Sequence, residues 1–154
     1  MTVLAFDGIR VAADKSMLNN GVAQATNKIW RVPKREGSMA DVRIIGVTGD
    51  LAFGLSMRDW WLRGADAADF PKKDEKEWAC LWCFGRDAEG AFIYGYEGRA
   101  HPYMVRSTQW AAGSGRDFAL AAMHLGKDAA EAVAITNQLT IECGNGVDVL
   151  VLGP

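Results

Sequence analysis

Residues 2–14 read TVLAFDGIRVAAD: two short apolar runs, at 3–6 and 9–13, with Asp7-Gly8 between them. Asp-Gly between such runs is a strong hairpin signal, because the primed turns require positive φ at both central residues. The stretch therefore predicts an amino-terminal β-hairpin with a threonine directly in front of its first strand. Working outward, a third run at 28–32 stops at Pro33, and a charged, glycine-containing loop leads to a fourth strand at 42–47 that ends on Thr48-Gly49. The first third of the chain reads as strand throughout.

The period then changes. From Asp50, placed at a helix cap, to Ala65, the residues Leu51, Leu55, Trp61 and Leu62 fall on one helical face. Residues 65–77 are polar and contain Pro71, which predicts a loop or a short helix. Strands return at 77–84, 91–96 and 103–107, the first two joined by the hairpin-like Arg86-Asp87-Ala88-Glu89-Gly90. After Gly113-Ser114-Gly115 come two helical stretches, 116–125 and 128–138, divided by Gly126, and a closing strand at 147–152. Strands and helices are segregated rather than alternating, so the fold class is α+β. Two antiparallel sheets flanked by helices would accommodate the order, in one domain over 1–154.

Composition narrows the function. The chain has 154 residues, 49% apolar and 23% charged, with a formal charge of −2. That is an ordinary globular balance, and it offers no basic patch for nucleic acid. No apolar run approaches the ~18 residues of a membrane span, and no secretory leader is seen, so a cytoplasmic protein is expected. Cys80 and Cys83 form CLWC, but a zinc site needs further ligands and His101 and His124 stand apart. Residues three apart on a strand also point to opposite faces. No metal or other cofactor is expected, and the cysteines read as small buried hydrophobes. Trp60-Trp61 reads as core plus interface.

A threonine hydroxyl is a poor nucleophile and needs an adjacent base. Position two offers one: removal of Met1 leaves Thr2 with its hydroxyl and a free α-amine whose ordinary pKa is about 7.7–8.0. Downstream, Ala12-Ala13-Asp14 ends the hairpin and Asn27-Lys28-Ile29 opens the next strand. Gly46-Val47-Thr48-Gly49-Asp50-Leu51-Ala52 turns from strand into helix. Ala112-Gly113-Ser114-Gly115-Arg116-Asp117-Phe118-Ala119 enters the second helix, and Cys143-Gly144-Asn145-Gly146-Val147-Asp148-Val149 leads into the last strand.

Taken in order over the whole chain, these motifs resemble proteasome β-type subunits and their bacterial proteasome-like relatives, including small phage-type versions that begin Met-Thr. The resemblance implies a four-layer αββα sandwich, the fold of the N-terminal-nucleophile hydrolases. It implies Thr2 as nucleophile, Asp14 and Lys28 setting its protonation, and Ser114 beside the threonine amine. Gly49 would donate its N–H to the oxyanion, a contribution typically worth ~2.7–4 kcal/mol. Gly113, Gly115, Thr140 and Cys143 become supporting residues, and Val47 and Leu51 substrate-binding ones. Thr140 stands where the family usually carries an aspartate supporting the serine; a hydroxyl hydrogen-bonds but supplies no charge. The middle, 65–77, replaces what is commonly a full second helix.

The function implied is a threonine-type peptidase or amidohydrolase that forms an acyl-enzyme on peptide bonds, with its site residues converging on one pocket. A homo-oligomeric ring or stacked rings, polypeptide substrates and an ATPase unfoldase partner follow from the same resemblance. The alternative is a catalytically silent member of the fold serving as a ring-forming scaffold.

Overall fold

The hairpin is present, and a four-stranded sheet grows around it. The computed structural model describes residues 2–34 and 41–153. Met1, whose removal the threonine chemistry requires, and residues 35–40 of the loop after Pro33 lie outside the described residues. The described chain is α+β, with three sheets and three α-helices. It divides into two compact units: residues up to Trp30 with those from Ser107 onward, and Arg31–Arg106.

In the first unit, β1 (Val3–Phe6) and β2 (Arg10–Asp14) pair antiparallel, Phe6 opposite Val11. The connection corrects the expected two-residue primed turn. Only Gly8 has positive φ (88°), and three residues, Asp7 to Ile9, join the strands, with Asp7 N donating to Arg10 O at 3.2 Å. The reason is the Asp7 side chain: Oδ1 accepts from Ile9 N and Arg10 N, an Asx turn that competes with the primed geometry. Three further strands lie outside the predicted runs, one hairpin and one single strand. β3 (Ser16–Asn19) and β4 (Val22–Ala25) form their own two-stranded sheet, and Asn20-Gly21 between them has φ of 50° and 78°. β10 (Trp110–Gly113) lies against β1, and β11 (Val147–Val151) against β2, giving the order β10-β1-β2-β11.

Helices α2 (Arg116–His124) and α3 (Ala129–Leu139) cover one face of that sheet. The face is built from Val3, Ala5, Ala12 and Ala111, and the helices bring Ala119, Ala122, Ala129 and Ala132 to it. Small side chains on both partners let helix and sheet approach closely. α3 starts where the sequence says it should: Asp128 accepts from Glu131 N while the Glu131 carboxylate accepts from Asp128 N. Such capping is worth ~1 kcal/mol.

In the second unit, β6 (Asp41–Gly49), β7 (Ala79–Asp87), β8 (Gly90–Glu97) and β9 (Tyr103–Val105) follow one another across a sheet ordered β5-β6-β7-β8-β9. Its first strand, β5 (Ile29–Arg31), carries the chain from one unit into the other. α1 (Leu51–Leu62) is capped by Asp50, which accepts from Phe53 N at 2.8 Å. Of the face the periodicity predicts, Trp61 is buried but Leu51 and Leu55 are only half-buried. Phe53, Met57, Trp60 and Trp61 are buried, whereas Leu62 is exposed. The larger rings take the core because they remove more apolar area from water. Trp60 is 1% exposed and meets Phe70 and Tyr96 edge-on, at 4.9 and 5.5 Å between ring centroids. Both tryptophans are core, which removes them as surface for an interface. Residues 65–77 hold one short 3-10 turn, Ala67–Asp69.

Candidate active site

Thr2 sits at the head of β1, 4% exposed, and its backbone is held from both sides. Its N donates to Ser114 Oγ at 3.1 Å, and its carbonyl accepts from Gly115 N at 3.2 Å. The turn Gly113-Ser114-Gly115 therefore forms a socket around residue 2. Gly113 has φ of 93°, and a side chain there would run into the Thr2 carbonyl, so the position requires glycine. Gly115 is equally constrained. A Cβ would lie 2.6 Å from Thr136 Cγ2, 2.9 Å from Val3 Cβ and 3.0 Å from Cys143 Sγ.

One residue further on, Val3 N donates to Asp14 Oδ1 at 2.9 Å. Asp14 ends β2 with no exposed surface, and its carboxylate is the hub of the site. Lys28 Nζ, 3% exposed and directly ahead of β5, reaches Oδ1 at 3.0 Å and Oδ2 at 3.1 Å. Ser16 N and Gly144 N complete Oδ2 at 3.1 and 3.3 Å. A buried charge is tolerated only when paired and hydrogen-bonded, and here both conditions are met by a cation and three backbone donors. The β3–β4 hairpin is the excursion of chain between Asp14 and Lys28, and its root is tied by Thr26 N to Lys15 O at 2.8 Å.

Cys143 is buried beside this hub. Burial first, and then the Asp14 charge, push its thiol up to about 11, against a smaller opposing pull from Lys28. At that value it is a poor nucleophile near neutrality. Thr140 caps the end of α3, and its hydroxyl accepts from Glu142 N at 3.2 Å.

The structure thus gathers Thr2, Asp14, Lys28, Ser114, Gly113, Gly115 and Cys143 within the first unit. Gly49, Val47 and Leu51 belong to the second. Gly49 ends β6 with φ of 91°, Val47 is buried against Gly54 of α1, and half-buried Leu51 opens that helix. Sequence reasoning missed the N–H groups of Val3, Ser16 and Gly144 as donors to Asp14. A backbone donor has no residue-type signature, so only the glycine turn at 144–146 hinted at the third.

Among the described residues, no group of His, Cys, Asp and Glu is arranged to hold a metal ion, and no helix is long and apolar enough to cross a membrane. No family model matches the chain, and comparison with curated proteins returns no match. Solved structures do match. A structure described as Thiobacillus denitrificans BPH covers 100% of both chains at a TM-score of 0.64 and 21% identity. Anbu (ancestral beta-subunit) from Yersinia bercovieri matches 99% of this chain and 82% of its own at a TM-score of 0.73 and 11% identity. At such identities the likeness is one of fold, and the fold is proteasome-like.

Proposed function

We propose that this chain is an N-terminal threonine peptidase of the proteasome-like kind, in a four-layer αββα sandwich. The observation that carries the reading is the Thr2 N to Ser114 Oγ contact beside the buried Asp14–Lys28 pair. While Met1 is attached, Thr2 N is an amide and cannot act as a base. Its removal turns the same nitrogen into an α-amine, in place, with a hydroxyl oxygen already 3.1 Å away.

The chemistry then runs in two balanced halves. Thr2 Oγ1 attacks the peptide carbonyl carbon as its proton passes to the α-amine. The C–N bond breaks, the proton goes to the leaving amine, and an ester remains on Thr2. Water, giving up a proton to the same amine, displaces the ester and restores the hydroxyl. The Lys28 ammonium disfavours a second positive charge nearby and so favours the neutral, basic amine. Assignment of the oxyanion donor to Gly49 rests on the resemblance alone. A ring of identical subunits, an ATPase partner and polypeptide substrates complete the proposal.

The test is turnover of unstructured peptides by protein whose mass shows Met1 removed. Thr2→Ala is expected to abolish turnover while folding normally. Thr2→Ser is expected to retain part of it, keeping the hydroxyl but losing the methyl that restricts χ1. A Thr140 hydroxyl engaged with Glu142 N, where the family has a carboxylate, favours the silent ring-forming scaffold as the second reading. Processed protein that turns over several peptides no faster than Thr2→Ala, with its ATPase present, refutes the peptidase and leaves the scaffold.

A further inference from the structure

Among the described residues no helix or second sheet covers the β3–β4 hairpin; its contact from the turn before β11 is Asn145 Nδ2 donating to Gln24 O at 3.2 Å. Every residue of β4 is exposed, and Leu18 and Val22 are 52% and 58% exposed. An isolated two-stranded hairpin is marginal in water, and three or more strands are usually needed. Natural sheet edges are blunted by charges, proline or bulges. Residues 16–25, SMLNNGVAQA, carry no charge and no proline, and their pairing from Ser16↔Ala25 to Asn19↔Val22 has no irregularity.

The register says which edge is open. Asn19 and Val22 close the two-residue Asn20-Gly21 turn as a hydrogen-bonded pair, and the antiparallel ladder alternates from there. Met17 and Gln24 then face each other across the ladder, while Ala23 and Ala25 turn their N–H and C=O away from β3. On the β3 side, Ser16 N is already taken by Asp14.

We infer that β4 pairs antiparallel with β4 of a second copy of this chain, about a two-fold axis through Gln24. That register sets Ala23 opposite Ala25 of the second copy and the reverse, using the outward groups of both residues. A strand paired with itself sets identical side chains near one another, and a strand without charges meets no like-charge penalty. The inference rests on the assembly part of the proposed function and not on its chemistry.

The test is Gln24→Cys in the full chain under mild oxidation. A non-hydrogen-bonded antiparallel pair brings Cα atoms to about 4.5 Å, within the disulfide range. The native Cys80, Cys83 and Cys143 are buried. We expect an intermolecular disulfide forming at least tenfold faster than in Glu89→Cys, a control on an exposed turn of the other unit. Adding Ala23→Pro, which removes an outward N–H without touching the intra-hairpin ladder, is expected to abolish that excess. In unmodified protein, the Ala23 and Ala25 amides are expected to exchange more slowly when assembled than when diluted. Cross-linking of Gln24→Cys no faster than the control overturns the inference. So do free-peptide exchange rates at Ala23 and Ala25 in protein that light scattering shows to be assembled. Peptide turnover is a separate readout, so failure of the chemistry leaves this result standing.

Discussion

Replacing Lys28 with methionine keeps the length of the side chain and removes its charge, and the consequence can be worked from the geometry. Asp14 is fully buried and Lys28 nearly so, which places the pair where screening by solvent is small. Removing one partner of a buried ion pair typically costs ~3–5 kcal/mol, because the remaining charge is left uncompensated. Here Asp14 keeps three backbone donors, from Val3, Ser16 and Gly144, so the loss should fall at the lower end, about 3 kcal/mol. With a urea slope of roughly 2 kcal/mol/M for a chain of this size, the unfolding midpoint should move down by about 1–2 M. Asp14→Asn should cost more, since it strands the Lys28 ammonium and turns an amide NH₂ toward backbone N–H donors. The double variant Asp14→Leu/Lys28→Met should recover part of the loss, a coupling that a double-mutant cycle measures directly. Urea unfolding followed by tryptophan fluorescence and by circular dichroism is the assay. A Lys28→Met midpoint within about 0.25 M of wild type, or about 0.5 kcal/mol, would show that the pair is not the buried hub described here.

Three further outcomes follow from the same geometry. Gly115→Ala forces a Cβ against Thr136, Val3 and Cys143, so thermal unfolding should report a loss of about 1–3 kcal/mol. Asp7 is held below its ordinary carboxyl value: burial pulls upward, but the N–H groups of Ala129, Arg10 and Ile9 and the Arg10 guanidinium outweigh it. The folded value is the depressed one, so its stabilisation is present above pH ~4 and is lost as pH falls through the folded value; Asp7→Asn should flatten that acid limb of the stability curve. Cys80 and Cys143, both at about 11, should alkylate at pH 8 about two orders of magnitude more slowly than free cysteine in folded protein, and at the ordinary rate once unfolded, as peptide mapping would show.

Much of the fold was legible because local chemistry agreed with it. Asp50 and Asp128 announce the starts of α1 and α3, and the α+β order of elements follows from the change of hydrophobic period. What was illegible has specific causes. β10 is four residues, Trp110-Ala111-Ala112-Gly113, with no alternation to betray it, and it exists because β1 lies alongside, more than a hundred positions away. The β3–β4 hairpin carries its signal only in Asn20-Gly21, since its strands lack the alternation of a half-buried sheet. The buried face of α1 meets the expected one only at Trp61, because Phe53, Met57 and Trp60 together remove more apolar area from water than Leu51, Leu55 and Leu62 would.

The candidate site divides in the same way, between side chains that a motif can carry and backbone that only the fold supplies. Thr2, Asp14, Lys28 and Ser114 could be picked from sequence, yet their alignment depends on one register. β1 and β2 pair with Leu4 opposite Ala13, which brings Asp14 alongside Val3 and onto the helix-covered face that Ala12 also occupies. A slip of one residue would turn Asp14 to the other face of the sheet and expel the Ala12 row from the helices at the same time. The alanine-lined core therefore enforces the geometry of the Asp14 hub: any pairing that misplaced the carboxylate would also bury the wrong side chains. The stretch that decides the fold decides the site for that reason, and substitutions that enlarge Ala5, Ala12 or Ala111 should disturb the Asp14 hub without touching it.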